Sequence, residues 1–168
     1  MGGSLAQRIA GSYGDVRASF RAERAAGPSE ARLLFFAMLA CGAVYVARLP
    51  NLMRDLPPEL EAGPGLAPAF VGAQFVAHVM FGPLLLYGLA ALTRLGARLG
   101  GGRGSWAGAR LALFWALLLG APVTLVAAAL SSLSGMAGLG IGPVLTFAAS
   151  LIVLWFWALC LAEAEGFA

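Results

Sequence analysis

The chain has 168 residues, of which 60% are apolar and 11% are charged. A soluble domain carries roughly 25% charged residues, so this composition excludes an ordinary soluble enzyme and favours an integral membrane protein. All eleven basic residues are arginines, and there is one histidine with two cysteines, which excludes lysine-based catalysis and a multi-ligand zinc site within one chain. We predict no cofactor, no metal site and no nucleic-acid partner.

Residues 1–28 form a basic segment without the apolar stretch of a signal peptide. Apolar residues recur there at spacings of three and four and share one side of a helix: Leu5, Ile9, Tyr13, Val16 and Phe20. With arginines beside it, this stripe predicts one amphipathic helix on the inner leaflet. A frayed tail is the alternative, because Gly11 and Gly14 each cost about 1 kcal/mol of helix stability relative to alanine.

Uncharged stretches predict an all-α domain of four membrane-spanning helices in residues 29–168. The predicted spans cover residues 33–47, 69–92, 111–130 and 141–162. The first has only fifteen apolar residues, about 22 Å of helix. We therefore expect it to extend, with Ser29 as N-cap and Arg48 reaching outward to the interface. The last two spans share one uncharged stretch, which must turn back within the Ser- and Gly-rich residues 131–140.

The distribution of arginines predicts the orientation. Nine arginines lie in residues 1–32 and 93–110, whereas two lie in residues 48–68 and none in residues 131–140. Because loops rich in arginine stay in the cytoplasm, both termini are predicted to be cytoplasmic, in a bacterial cytoplasmic (inner) membrane.

Two polar side chains, Gln74 and His78, lie one helical turn apart within the second span. An interhelical hydrogen bond that fixes packing is the main interpretation, and a tetrapyrrole ligand or a proton relay are the alternatives. A hydrolytic pairing of His78 with the serines of residues 131–134 is disfavoured, because a turn explains those serines.

The two cysteines, Cys41 and Cys160, are predicted to be small buried apolar residues at different depths.

The loop between spans two and three holds the candidate contact residues for anionic lipid headgroups or a partner protein. They are Arg94, Arg98, Arg103, Ser105, Trp106 and Arg110. Ser105 is placed to cap span three, whose free N–H groups attract anions, and Trp106 suits the membrane interface. An ordinary flexible loop with positive charge is the alternative.

The C-terminus carries two acids, Glu163 and Glu165, next to this loop, which has no acid of its own. We expect the tail to fold back with at least one Glu–Arg pair, the alternative being a solvated tail. Within the spans, small residues at positions 112, 116 and 120 permit close helix packing. Pro83 and Pro122 are expected to bend their helices.

The order of these motifs resembles the bacterial branch of the Yip family. The segments that carry the resemblance are residues 81–88 (FGPLLLYG), 102–106 (GRGSW), 110–116 (RLALFWA) and 162–167 (AEAEGF). Eukaryotic Yip proteins are small polytopic membrane proteins that interact with Rab GTPases, usually with five spans, whereas four are predicted here. The resemblance covers about residues 29–167 and implies a polytopic protein with a cytoplasmic N-terminus. It carries over neither a Rab partner nor catalytic residues.

The expected function is non-enzymatic and acts through contacts with lipids and other membrane subunits. One form is an accessory or structural subunit of a larger respiratory or photosynthetic complex. The alternative is a small oligomeric transporter or channel, although no predicted span contains the embedded acid or arginine pair that ion-coupled transport commonly uses.

Overall fold

A computed structural model describes residues 4–61, 63, 65–136 and 138–167, and the described residues form helices joined by loops. The helices are α1 (Leu5–Ser12), α2 (Val16–Ala25), α3 (Glu30–Arg54), α4 (Pro58–Glu61), α5 (Leu66–Val76), α6 (Gly82–Leu99), α7 (Trp106–Met136) and α8 (Gly142–Glu165). A π-helical turn, Ala77–Phe81, joins α5 to α6. Residues 1–3 and 168, at the ends of the two predicted segments, and residue 137, in the predicted turn, lie outside the described residues.

Four helical units are long and apolar enough to cross a membrane, as predicted: α3, the continuous unit from Leu66 to Leu99, α7 and α8. They contain 24 to 34 residues, which corresponds to about 36–51 Å of helix against a hydrocarbon core of about 30 Å. Each is longer than its predicted span, because every one of these helices continues past a charged residue at one end or both, and α7 also continues through residues 131–136. Ser29 caps α3 as expected, its hydroxyl accepting from the backbone N–H of Arg32 at 3.3 Å.

Helix α7 is the centre of the bundle and packs against α8, α3 and α6. The predicted ridge of small residues carries this packing, since Ala112 and Ala116 are fully buried. A Cβ atom at Gly120 would overlap the side chain of Val153 on α8. The ridge therefore brings α7 and α8 together within the chain, as small residues commonly do between membrane helices.

The helices alternate in direction, so the bundle has two distinct ends. The basic end contains the start of α3, the end of α6, the start of α7 and the end of α8; the opposite end contains Arg54, Leu66, Met136 and Gly142. Five ion pairs join described residues, and all lie at the basic end: Arg8–Glu23, Arg21–Glu163, Arg32–Glu23, Arg94–Glu165 and Arg110–Glu30.

The N-terminal segment is a helical hairpin, so the prediction of one continuous helix is wrong. Asp15 caps α2 by accepting from the N–H of Ala18 at 2.9 Å, and this cap, next to Gly14, starts a new helix where the apolar stripe would continue. Val16 and Phe20 are buried in the core of the bundle. The position of the stripe on a lipid surface is therefore not confirmed, because these two side chains contact protein.

Leu5 and Ile9 are half-buried and pack against the same core, and Tyr13 lies at the turn of the hairpin. The Tyr13 hydroxyl donates to the carbonyl of Leu119 on α7 at 2.6 Å, and its ring lies edge-on to Phe156 of α8 with centroids 5.9 Å apart. Leu119 is nine residues beyond Arg110, so the hairpin reaches about 13 Å further along α7 than that arginine.

Candidate functional site

At the basic end, the C-terminal residue of α8 is inserted into the loop between α6 and α7. The Glu165 carboxylate accepts from Arg94 at 3.0 Å and from the N–H of Gly104 at 2.9 Å. The backbone N–H of Arg103 donates to the Glu165 carbonyl at 3.0 Å, and the Glu165 side chain is 0% exposed. The predicted return of the tail with a Glu–Arg pair is therefore confirmed.

The glycines of this loop are explained by that carboxylate. A Cβ atom at Gly102 or Gly104 would lie 2.6–2.8 Å from the carboxylate of Glu165, closer than real Cβ contacts allow. The loop therefore needs glycine at both positions, because a carboxylate of the same chain lies against its backbone.

Two of the six predicted headgroup contacts are instead engaged within the protein. Arg94 binds Glu165, and Arg110 forms an ion pair with Glu30 of α3 at 2.7 Å. An acid from another helix thus reaches each of these two arginines, and their contact with lipid headgroups or a partner protein stays a prediction. The Arg110 guanidinium also lies over the Tyr87 ring, 5.7 Å from its centroid.

The other four predicted contacts remain at the surface. Ser105 caps α7, accepting from the N–H of Gly108 at 3.0 Å. Arg98, Arg103 and Trp106 are exposed on or beside the loop, and neither arginine forms an ion pair with a described residue. The loop thus presents two cations and one indole on a backbone held by Glu165.

A second charged cluster fixes the hairpin to α3. Glu23 is buried and forms ion pairs with Arg8 of α1 and Arg32 of α3. Burial, together with the nearby positive charge of Arg32, lowers the pKa of Arg8. Burial raises the pKa of Tyr13. Sequence analysis missed Glu23, because its partners depend on how the hairpin docks.

At the opposite end, His78 forms the interhelical hydrogen bond that was its main interpretation. Its Nε2 lies 3.2 Å from Nη1 of Arg48 on α3, and its Nδ1 lies 2.8 Å from the carbonyl of Gln74. A guanidinium can only donate, so Nε2 accepts and Nδ1 carries the proton given to Gln74. Arg48 is exposed and has this imidazole as an acceptor, and its reach outward to the interface stays a prediction.

The π turn positions His78 and follows from the proline after it. Pro83 has no N–H for the carbonyl of Val79, and the helix adjusts with one wider turn at Ala77–Phe81. Such turns are frequent at functional sites. Just beyond it, Gly82 meets α3 so closely that a Cβ atom there would lie 2.9 Å from Cys41 Sγ. Neither cysteine forms a disulfide; Cys160 is buried, as predicted, whereas Cys41 is only half-buried.

The prediction that residues 131–140 form the turn is wrong in its bounds, because α7 continues to Met136 and its last residues include these serines, whose hydroxyls bind the main chain. Ser131 donates to the carbonyl of Gly142 at 3.2 Å, and Ser134 donates to that of Ser131 at 2.8 Å. The described partners of His78 are Arg48 and Gln74, so no Ser–His pair forms among the described residues. Likewise, no group of three or more possible metal ligands occurs among them.

Sequence analysis also missed the two polar residues, Asn51 and Asp55, that line a cavity together with Arg48. Arg48, Asn51 and Asp55 follow one another at spacings of three and four, so they share a face of α3. That spacing was a readable signal for a polar stripe at the end of α3, in residues beyond the predicted span 33–47. Comparisons with protein-family models, curated proteins and solved structures find no match to this chain.

Proposed function

We propose that this chain is a non-enzymatic, Yip-like membrane protein that acts through anionic lipid headgroups and other membrane subunits at its basic end. In this proposal the basic end faces the cytoplasm of a bacterium, and the protein resides in the inner membrane. One form of the function is an accessory subunit of a larger membrane complex.

One observation carries the proposal: the loop at the basic end exposes Arg98, Arg103 and Trp106 on a backbone held by Glu165. The basic end has nine arginines and five acids, whereas the remaining residues hold two arginines and three acids. A fixed loop with excess cations and an amphipathic ring suits binding to anionic headgroups or to an acidic partner surface.

The orientation can be tested with reporter fusions. A fusion after residue 100 is expected to report a cytoplasmic location, and a fusion near residue 138 a periplasmic one. The reverse result would place the exposed arginines on the wrong side of the membrane and refute the proposed contact surface.

Lipid binding can be tested with the full chain in nanodiscs of phosphatidylglycerol and phosphatidylcholine. We expect the double variant Arg98→Gln, Arg103→Gln to lose most of the enrichment of phosphatidylglycerol in the leaflet that contacts the basic end. Each cation near that lipid surface contributes about 1 kcal/mol to the attraction of anionic lipid. The variant Arg17→Gln is the matched control, since it removes an exposed arginine of the same end that lies outside the loop. Equal enrichment in all three proteins would contradict the proposal.

The native mass in mild detergent separates the proposal from its alternative. A complex with other subunits supports an accessory role. A homo-oligomer supports a small transporter or channel, for which the polar side chains around Arg48 and His78 at the opposite end are the specific structural argument.

A further inference from the structure

A cavity of about 590 Å³ lies at the opposite end, far from the loop of the proposed function. It is bounded by α3, α7 and α8, and its lining includes Arg48, Asn51, Thr146, Ser150, Leu117 and Leu154. Its volume is within the range of small-molecule and cofactor sites.

The cavity has a polar part and an apolar part, separated along the helices. Asn51, Thr146 and Ser150 lie nearest the opposite end, whereas Leu117, Val153 and Leu154 lie deeper in the bundle. From Thr146 to Leu154 is eight residues, about 12 Å along α8. The lining of the cavity therefore changes from polar to apolar over a distance that part of an acyl chain could span.

Arg48 supplies a positive charge to the polar part and forms no ion pair with a described residue. The acid on the same face of the helix, Asp55, lies seven residues further on, about 10 Å along the axis, and does not line this cavity. None of the described residues that line the cavity is acidic, and the one hydrogen bond of Arg48 to another described residue is to the uncharged acceptor His78. Because that bond uses Nη1, the N–H groups of Nη2 and Nε remain available to donate to another group. A charge held inside a membrane helix normally has a partner or marks a functional site.

We propose that this cavity binds an anionic membrane lipid, with its negatively charged headgroup at Arg48 and Asn51 and an acyl chain against Leu117, Val153 and Leu154. A guanidinium binds carboxylate or phosphate oxygens with strong, charge-assisted hydrogen bonds. A free inorganic anion would satisfy the arginine but leave the apolar part unfilled, and a neutral lipid would leave the charge uncompensated. Only an anionic amphiphile matches both parts.

The test uses the purified full chain in a nonionic detergent and a long-chain fatty acid that carries a photoreactive diazirine near its methyl end. We expect crosslinks in the peptides that contain Leu117, Val153 and Leu154. The variant Arg48→Gln should lower labelling there about tenfold, the size expected for one charge-assisted hydrogen bond. Arg54→Gln is the matched control on the same helix, and we expect labelling equal to that of the wild type.

Two further measurements keep the test decisive if Arg48→Gln does not fold. The methyl ester of the same probe has no charge, and we expect it to label the wild-type cavity about tenfold less than the acid. Equal labelling by acid and ester, or by wild type and folded Arg48→Gln, would overturn the proposal. Loss of labelling on addition of inorganic phosphate would show a site for free anions and would also overturn it.

The result is independent of the proposed function at the basic end. The double variant Arg98→Gln, Arg103→Gln should label the cavity peptides like the wild type. If that variant abolished labelling of these peptides, the labelling would depend on binding at the basic end, and the assignment of the cavity as a lipid site would be refuted. Failure of the nanodisc experiment with Arg98 and Arg103 would leave the assignment intact.

Discussion

The two ends of the bundle use the same residue type in different ways. At the basic end, arginines of α1, α2, α3, α6 and α7 form ion pairs with acids from other helices. At the opposite end, Arg48 binds an imidazole and Arg54 lies beside Gly135, with guanidinium atoms 3.4–3.7 Å from the position of a Cβ atom there. Whether an arginine stabilises the fold or remains free for a ligand thus depends on which acids the topology brings to it.

The ion pairs of the basic end differ widely in how well they are shielded from water. The side chains of Arg94 and Glu165 are 11% and 0% exposed, whereas those of Arg21 and Glu163 are 60% and 20% exposed. Removing one partner of a buried pair leaves an uncompensated charge, while an exposed pair contributes little. The predicted effects of substitution therefore fall from the basic end to the opposite end.

The largest effect is expected for Glu165→Ala. It leaves the Arg94 guanidinium buried without its carboxylate and removes the acceptor for the N–H of Gly104. We expect a loss of about 3–5 kcal/mol, measured as a large decrease of the melting temperature in detergent. Glu163→Ala is the control. Its pair with Arg21, at 3.6 Å, should contribute at most about 1 kcal/mol, and equal melting of the two variants would contradict the ranking.

The next effect concerns the hairpin. Glu23→Gln replaces the carboxylate between Arg8 and Arg32 by a neutral amide of the same size. We expect a loss of about 2 kcal/mol and faster protease cleavage in residues 5–25, because the hairpin detaches more often. Asp15→Asn also removes one negative charge from the hairpin but keeps an equally good helix cap. If the control were cleaved as fast as Glu23→Gln, net charge rather than the buried pair would hold the hairpin.

These effects also show what the sequence could predict and what it could not. The four spans, a reversal of the chain between α7 and α8 and the Ser105 cap depend on local patterns of charge, hydropathy and hydrogen-bonding side chains, and the structure contains them. The docking of the hairpin was not predictable. An apolar stripe next to arginines fits a lipid surface and a protein surface equally well. The contacts of the hairpin with α7 decide between them, because the Trp115 indole donates to Ser19 at 3.2 Å and Tyr13 donates to Leu119.

The charged loop and the Arg48–His78 contact show the same difference between what local sequence patterns predict and what depends on the packing of distant residues. A loop with four arginines and no acid beside a tail with two acids predicted a Glu–Arg pair, because opposite charges at one membrane face attract. It did not identify Glu165 as the partner, since that choice depends on where α8 ends relative to Gly104. The bond between Arg48 and His78 joins residues 30 positions apart, and its geometry depends on a π turn that the sequence signals only through Pro83.

A smaller effect should be similar at the hairpin and at the opposite end. Tyr13 of the hairpin donates to the carbonyl of Leu119 at 2.6 Å near the middle of α7, and Tyr45 donates to that of Val71 at 3.0 Å near the opposite end. The substitutions Tyr13→Phe and Tyr45→Phe each remove one neutral hydrogen bond between helical elements. We expect each to cost about 1 kcal/mol, with no dependence on salt. A strong salt dependence for Tyr13→Phe would mean that its loss disrupts the Glu23 ion pairs, so that the two contacts act as one unit.

The smallest effect is expected for Arg54→Gln at the opposite end. Arg54 is exposed and forms no ion pair with a described residue, so its charge has no fixed partner whose desolvation must be compensated. Substitutions at such surface positions change stability by about 0.5 kcal/mol or less, and we expect the melting temperature to equal that of the wild type at low and high salt.

Arg110→Gln is the matched comparison at the basic end, where the same change removes the 2.7 Å pair with Glu30. It should cost about 1 kcal/mol and cost less at high salt, because the Glu30 side chain is largely exposed and screened. If Arg54→Gln destabilised the protein as much as Arg110→Gln, the arginines of the opposite end would also hold the fold together, and the distinction between the two ends would fail.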